Sequence, residues 1–273
     1  MKIVTARNNA AFKLANKLTT KKGRDKEEAF LIEGEHLLEE AKKAGLHISH
    51  VFVRAESSDS LIEKSIACDE SIIGLSDSLF DELASTVTPQ PIIAIVEKSK
   101  DAKAPTDAIK SIAVKKGKSP QDLKIVILDR VSDPGNMGTI IRTACAAGSD
   151  LIITIKGSAD IYSDKILRST AGSIFHIPII QGVADEECLK LLDEIDTNLM
   201  VCSAEGDSIY DTDISGGKAI LVGNEANGPS DIFYENAEKL IAIPMVKNAE
   251  SLNAAIAVGI VIYEKRRQDE DPR

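Results

Sequence analysis

The sequence predicts an α/β protein in two parts, and three observations carry that expectation. Short β-branched runs, such as Ile92-Ile93-Ala94-Ile95-Val96, recur between stretches whose apolar residues follow helical spacing. The chain has 273 residues, 43% of them hydrophobic and 28% charged, enough to bury two ordinary cores. Residues 98–121, rich in Lys, Ala, Ser and Pro with a weak apolar pattern, separate two halves of different texture.

In the first half, Gly34 to Ala44 carries apolar residues at helical spacing, and Gly45 stands where a left-handed residue would end the helix. Ile48–Val53 and Ser71–Leu75 read as strands, and Asp77 can cap a helix running to about Ser85. Pro89-Gln90-Pro91 is a turn before the buried-strand pattern of Ile92–Val96. Residues 1–97 are therefore expected to form one smaller α/β domain, with 98–121 a basic linker or an arm that orders on a partner.

From Lys124 the strands become longer and more apolar. Six candidates are Ile125–Leu128, Leu151–Ile155, Ile177–Ile180, Leu199–Cys202, Ala219–Val222 and Leu240–Ile243. Helical stretches 138–147, 164–172, 185–195, 230–238 and 251–266 lie among them. This alternation over 122–267 implies a mostly parallel sheet covered on both faces, whose ligand site lies at the strands' carboxyl ends.

A formal charge of −10 taken alone argues against a nucleic-acid partner, but the charge is segregated. Residues 1–26 hold eight cations against Asp25 alone, and 98–121 hold seven against two acids. The four cysteines include no C-x-x-C pair, so neither a disulfide framework nor a metal site is expected. No secretory leader or membrane span is read, and a cytoplasmic location is the expectation.

Three loops carry chemistry, each after a predicted strand. In the first, Asp133-Pro134-Gly135-Asn136 is turn chemistry before a helix whose N-terminus offers free N–H groups to an anion, with Arg142 one turn inward. A tight loop with Arg142 in solvent is the competing reading. The second, Gly223-Asn224-Glu225-Ala226-Asn227-Gly228, offers positive-φ positions and polar groups, or is an ordinary turn capped by Ser230. The third runs from Ile243-Pro244-Met245 to Ser251-Leu252-Asn253, where the polar pair serves either a ligand or a helix cap. Neither a Walker loop nor a G-x-G-x-x-G fingerprint is present.

In this order and spacing the loops resemble the three signature motifs of the SpoU (TrmH-like) RNA ribose methyltransferases of the SPOUT superfamily. The matches are Asn136-x-Gly138-x-x-x-Arg142-Thr143-Ala144, Gly223-Asn224-Glu225, and Ile243-Pro244-Met245 with Ser251-Leu252-Asn253. The resemblance implies a C-terminal trefoil-knotted domain binding S-adenosylmethionine, preceded by an α/β/α ribosomal-protein-like RNA-binding domain. It also implies a homodimer through the C-terminal domain. Carried over residue by residue, Gly223, Ile243 and Leu252 correspond to positions whose backbone holds the cofactor, and Ser203-Ala204 to the loop beside its adenine or ribose. Arg142 corresponds to the catalytic arginine, with Asn136, Glu225, Ser251 and Asn253 around it.

The implied activity is methyl transfer to an RNA ribose 2′-hydroxyl, with ribosomal RNA, the large-subunit RNA above all, favoured over transfer RNA. A non-catalytic RNA-binding assembly factor is the alternative, and an unrelated enzyme acting on a phosphorylated small molecule is a third. Among the N-terminal cations, Arg7, Lys13, Lys17, Lys21 and Lys22 are the expected RNA contacts. Ala226 and Lys247 stand where relatives often have glycine, so the cofactor loop is expected to differ in shape.

Overall fold

The computed structural model describes residues 2–55, 71–86, 88–98, 104–224, 226–246 and 251–270. The chain forms two compact units, Met1–Asp101 with Asp160–Phe175, and Ala102–Ala159 with His176–Arg273.

The first unit is built on a mixed sheet in the order β1 (Lys2–Val4), β4 (Ser71–Leu75), β3 (Ile48–Arg54), β5 (Ile92–Glu97), β2 (Ala29–Glu33). β1, β4 and β3 run parallel, and β5 pairs antiparallel with both β3 and β2. Side chains alternate across the pleat. Ala29 and Leu31 turn toward a core made with Phe12 and Leu18 of α1 (Ala10–Leu18) and Phe80 of α4 (Asp77–Leu83). Phe30 turns the other way and stacks on Tyr162 at 4.5 Å between ring centroids, with Phe175 at 6.3 Å. α3 (Glu35–Lys43) lies on this second side, where His36 reaches the Ala171 carbonyl at 3.2 Å. A short helix, α2 (Lys21–Glu27), follows α1 and buries Arg24, whose guanidinium pairs with Asp160 at 2.6 Å.

The second unit carries a six-stranded sheet, all pairs parallel, in the order β11 (Lys239–Ala242), β9 (Leu199–Ser208), β10 (Ala219–Val222), β6 (Ile125–Leu128), β7 (Leu151–Ile155), β8 (Ile179–Val183). β6, β7 and β10 are buried at every position, as their unbroken apolar runs require. One face packs Ile127, Ile153, Val201 and Leu221 against Leu191 of α8 (Asp185–Glu194) and Ile109 of α5 (Pro105–Lys116). The other packs Met200, Ile220 and Ile241 against Val261 of α10 (Ala254–Glu270). Each such side chain contributes about 1.5–3 kcal/mol by leaving water.

Two expectations need correction. The span 98–121 is not simply a linker: Pro105–Lys116 is a helix, with Ile109 and Ala113 fully buried in the second core. Its cations are partly spoken for, since Lys116 and Lys118 both bridge to the buried Asp150, at 3.4 and 2.6 Å. The stretch 160–175, expected inside the second domain, belongs to the first unit, and its helix α7 spans only Asp164–Ser169.

The chain goes from β6 outward to β7 and β8, then returns to the far side of the sheet, with β10 filling the place between β9 and β6. Loops at the carboxyl ends of β6, β9, β10 and β11 therefore diverge from a common point, which is where open parallel sheets take ligands.

Candidate active site

The loop after β6 leads into α6 (Pro134–Ala146), begun by Pro134 at its first position and capped by Asp133, which accepts from Asn136 N at 2.8 Å. α6 buries Met137, Ile140, Ile141 and Ala144, which leaves Arg142 exposed. Among the described residues Arg142 makes no hydrogen bond or ion pair.

The loop after β10 is held by a network that sequence reasoning missed. Asp129, 1% exposed at the end of β6, accepts from the Ser230 amide at 2.7 Å and its hydroxyl at 2.6 Å. Arg130 pairs with Asp129 and with Asp185, the latter at 2.5 Å, and both pairs favour its charged form. Its backbone sits at φ 56, and its carbonyl accepts from Asn224 Nδ2 at 2.9 Å. The Asn224 Oδ1 in turn accepts from Ala226 N at 2.9 Å. The only sequence signal was an Asp-Arg pair directly after a buried strand. Gly223 has a requirement of its own: a Cβ there would lie 2.1 Å from Pro229 N and 2.2 Å from the Gly228 carbonyl carbon.

The third loop begins at Ile243 and ends at α10. Asn253 is the cap of that helix rather than a residue inside it, its Oδ1 accepting from Ala255 N at 2.9 Å. Its Nδ2 donates to Asn136 Oδ1 at 2.8 Å, which ties the starts of α6 and α10 together.

Residues of β9, β10 and β11, with the loops after β10 and β11 and the start of α10, line a cavity of about 320 Å³. Its walls include Ser203, Ala204, Gly223, Ile243, Ser251 and Leu252, so all five expected cofactor positions and one expected catalytic residue meet there. Cys202, Tyr234 and Met245 join them and were not foreseen. Tyr234 donates its hydroxyl to Ser203 Oγ at 3.3 Å, and burial pushes the Cys202 thiol up to about 12, leaving it protonated. Asn136 and Asn253 adjoin the cavity through Ser251-Leu252, whereas Arg142 does not line it. Glu225 and Lys247 lie outside the described residues.

In the first unit, Lys13, Lys21 and Lys22 are exposed on α1 and α2 with no ion pair among the described residues. Arg7 pairs with Glu82 at 2.8 Å and Lys17 with Glu27 at 2.9 Å, both on the surface. Among the described residues no group of three or more His, Cys, Asp or Glu could hold a metal ion, and no helix is long and apolar enough to cross a membrane.

The model of the SpoU rRNA Methylase family matches residues 124–263, which contain every residue lining this cavity. The chain belongs to the SpoU rRNA methylase family. An MRM3-like substrate binding domain matches residues 9–94. The 23S rRNA (guanosine(2553)-2′-O)-methyltransferase RlmP of Bacillus subtilis (strain 168) is 34% identical over 97% of this chain and 100% of its own length. Among solved structures, the SpoU methyltransferase AviRb from Streptomyces viridochromogenes in complex with AdoMet superposes with a TM-score of 0.85 at 27% identity, covering 97% of this chain and 100% of that one. The AdoMet-bound rRNA methyltransferase from Sinorhizobium meliloti gives 0.81 at 31% identity over 98% of both chains.

Proposed function

We propose that this SpoU-family protein is an S-adenosylmethionine-dependent methyltransferase acting on a ribose 2′-hydroxyl of RNA, with large-subunit ribosomal RNA as substrate. One observation carries the reading. A 320 Å³ cavity at the sheet's carboxyl ends is walled by Ser203, Gly223, Ile243 and Leu252 and adjoins the Asn136–Asn253 pair.

The cavity fits the cofactor. It has the volume of a small-molecule site and mixes main chain, apolar side chains and the paired hydroxyls of Ser203 and Tyr234. At Gly223 the backbone approaches Pro229 and Gly228 too closely for any side chain, which leaves main chain as the wall there. Gly223, Ile243 and Leu252 would hold the cofactor by their backbone, with Ser203 and Ala204 beside its nucleoside.

S-adenosylmethionine supplies an already activated sulfonium methyl. The chain's task is then to align a hydroxyl with that methyl and to stabilise the charge developing on the oxygen. Arg142 would do the second, its guanidinium clamping the neighbouring phosphate and donating to the developing oxyanion. Asn136 and Asn253 tie the two helix starts together, with Ser251 at the cavity wall; the family resemblance would add Glu225 to this polar set.

The exposure of Arg142, away from the cavity wall, supports a site completed by a second copy of the chain. The exposed Ile256 and Tyr263 on α10 support a homodimer through this unit. A knotted C-terminal path is supported by family membership. For RNA binding, Lys13, Lys21 and Lys22 are available at once. Arg7 and Lys17 can exchange weak surface bridges for phosphates. A ribosomal RNA substrate supports the cytoplasmic location expected from the sequence.

Calorimetry with S-adenosylmethionine, followed by mapping of 2′-O-methylated riboses in RNA from cells with and without the protein, tests the reading. A cofactor isotherm and one ribose methylated only in the protein's presence are expected. No binding up to millimolar ligand would overturn it.

A further inference from the structure

The first unit contains a second cavity, of about 200 Å³, at the free edge of its sheet. Edge strand β2 forms its floor through Leu31, Ile32 and Glu33, and α1, α4 and α7 close over it. Pairing parity decides what that edge presents. Gly34 N donates to Ile92 O and Lys98 N to Glu28 O, both at 2.8 Å, so the even-numbered residues of this stretch face β5. The amide and carbonyl of Leu31 therefore point off the sheet, toward the cavity, with no partner strand.

The surrounding groups are fixed. Glu33 accepts from Gln90 N, Thr86 Oγ1 and both Ser85 donors. Although burial opposes it, these bonds hold the carboxylate below its usual range, and so charged. Arg168 bonds to the same Ser85 hydroxyl and to Asp164 at 3.0 Å. Arg7 stands at the rim, since its partner Glu82 lines the cavity. Lys17 immediately precedes the lining pair Leu18-Thr19.

A slot with one main-chain donor and one acceptor on its floor, whose rim ion pairs Arg7–Glu82 and Arg168–Asp164 can exchange a carboxylate for a phosphate, matches the edge of a planar heterocycle attached to a phosphate chain. RNA is read in this way, by unstacked bases entering pockets while cations hold the backbone. The volume equals that of about six or seven liquid waters at ~30 Å³ each, the scale of a base rather than of a whole nucleotide.

We propose that this cavity receives a single unstacked RNA base, so that the front unit selects substrate by base identity and not by charge alone. The proposal rests on the RNA reading given above.

The test uses the full chain and four homopolymeric pentaribonucleotides, with affinity read by fluorescence anisotropy at several salt concentrations. The wild type should prefer one homopolymer by about tenfold or more, the scale of one good donor–acceptor pair. Thr19→Trp, placed on an exposed residue at the mouth, should erase that preference and leave the salt slope unchanged. A photoactivatable analogue of the preferred base should crosslink within residues 19–33 or 162–168. Equal affinity for all four in the wild type, or an unaltered preference in Thr19→Trp, would overturn the pocket. So would crosslinks confined to other segments. Should the tryptophan unfold the protein, Arg168→Gln at the rim gives a second variant with the same expected loss of preference. S-adenosylmethionine binding, measured on the same proteins, reports on the other unit. Its absence would defeat the methyltransferase reading and leave the base preference standing.

Discussion

Asn253 Nδ2 donates to Asn136 Oδ1 at 2.8 Å, while the same Asn253 caps its own helix through Oδ1. One side chain thus performs two separable tasks. Asn253→Ala should lower stability by about 1 kcal/mol through the lost cap and should also depress turnover. Asn253→Ser keeps a capping oxygen and is too short to reach Asn136. Denaturant melts should therefore find Ser near wild type, and methyl-transfer rates should find both variants impaired. Full activity in Asn253→Ser would remove the Asn136 contact from the mechanism.

Gly223→Ala forces a methyl to within 2.1 Å of Pro229 N, so the loop must shift. Cofactor affinity by calorimetry should drop by about tenfold or more, equivalent to ~1.4 kcal/mol. RNA affinity should change little, because Lys13, Lys21 and Lys22 lie in the other unit and Arg142 lies off the cavity wall.

Asp129 is a buried carboxylate with two bonds to Ser230 and an ion pair to Arg130. Asp129→Ala should destabilise by about 2–3 kcal/mol and loosen the 223–230 loop. Asp129→Asn, still able to accept from Ser230, should cost less. Equilibrium unfolding gives the ranking, which would be wrong if the two variants matched.

Burial lowers the Lys265 ammonium to about 8, against the pull of Asp269 and helped by Lys124 and Lys218. The folded protein thus holds this proton less tightly than the unfolded chain does. Stability should rise as pH increases from about 8 to 10.5, by at most about 3 kcal/mol relative to Lys265→Met, which lacks the titration. Parallel pH profiles for the two proteins would contradict this.

If Arg142 acts across a dimer, two impaired chains should rescue each other at a cofactor concentration that fills only an intact cavity. Mixing Arg142→Ala with Gly223→Ala leaves one intact site in each mixed dimer, with Arg142 from one chain and the cavity from the other. Methyl-transfer assays should recover up to about half the wild-type rate per mixed dimer, counted by its sites. No recovery would confine each site to one chain.

The cavity was legible in the sequence because its loops follow strands whose apolar runs announce them and carry turn residues such as Gly223-Asn224 and Gly228-Pro229. The helix Pro105–Lys116 was misread because its apolar positions are few. Its ends were nevertheless marked, by Pro105 at the first turn and by Gly117, which adopts φ 63 just past the last. Asp129 gave little signal because Ser230, which donates to it through both amide and hydroxyl, lies 101 residues away in the chain. The ion pairs of Arg7 and Lys17 were equally out of reach, since charge counts along the chain do not reveal which acid folds back on which cation.

Phe30 stacks on Tyr162, and Arg24 is buried against Asp160. A ribosome releases Phe30 long before Tyr162, so the front unit cannot finish folding when its own first hundred residues emerge. At the usual 5–20 residues per second it waits several seconds with an aromatic face open. During that interval the nascent chain has a ready site for a chaperone, and proteolysis of arrested chains should cut within the front unit until residue 175 has cleared the exit tunnel.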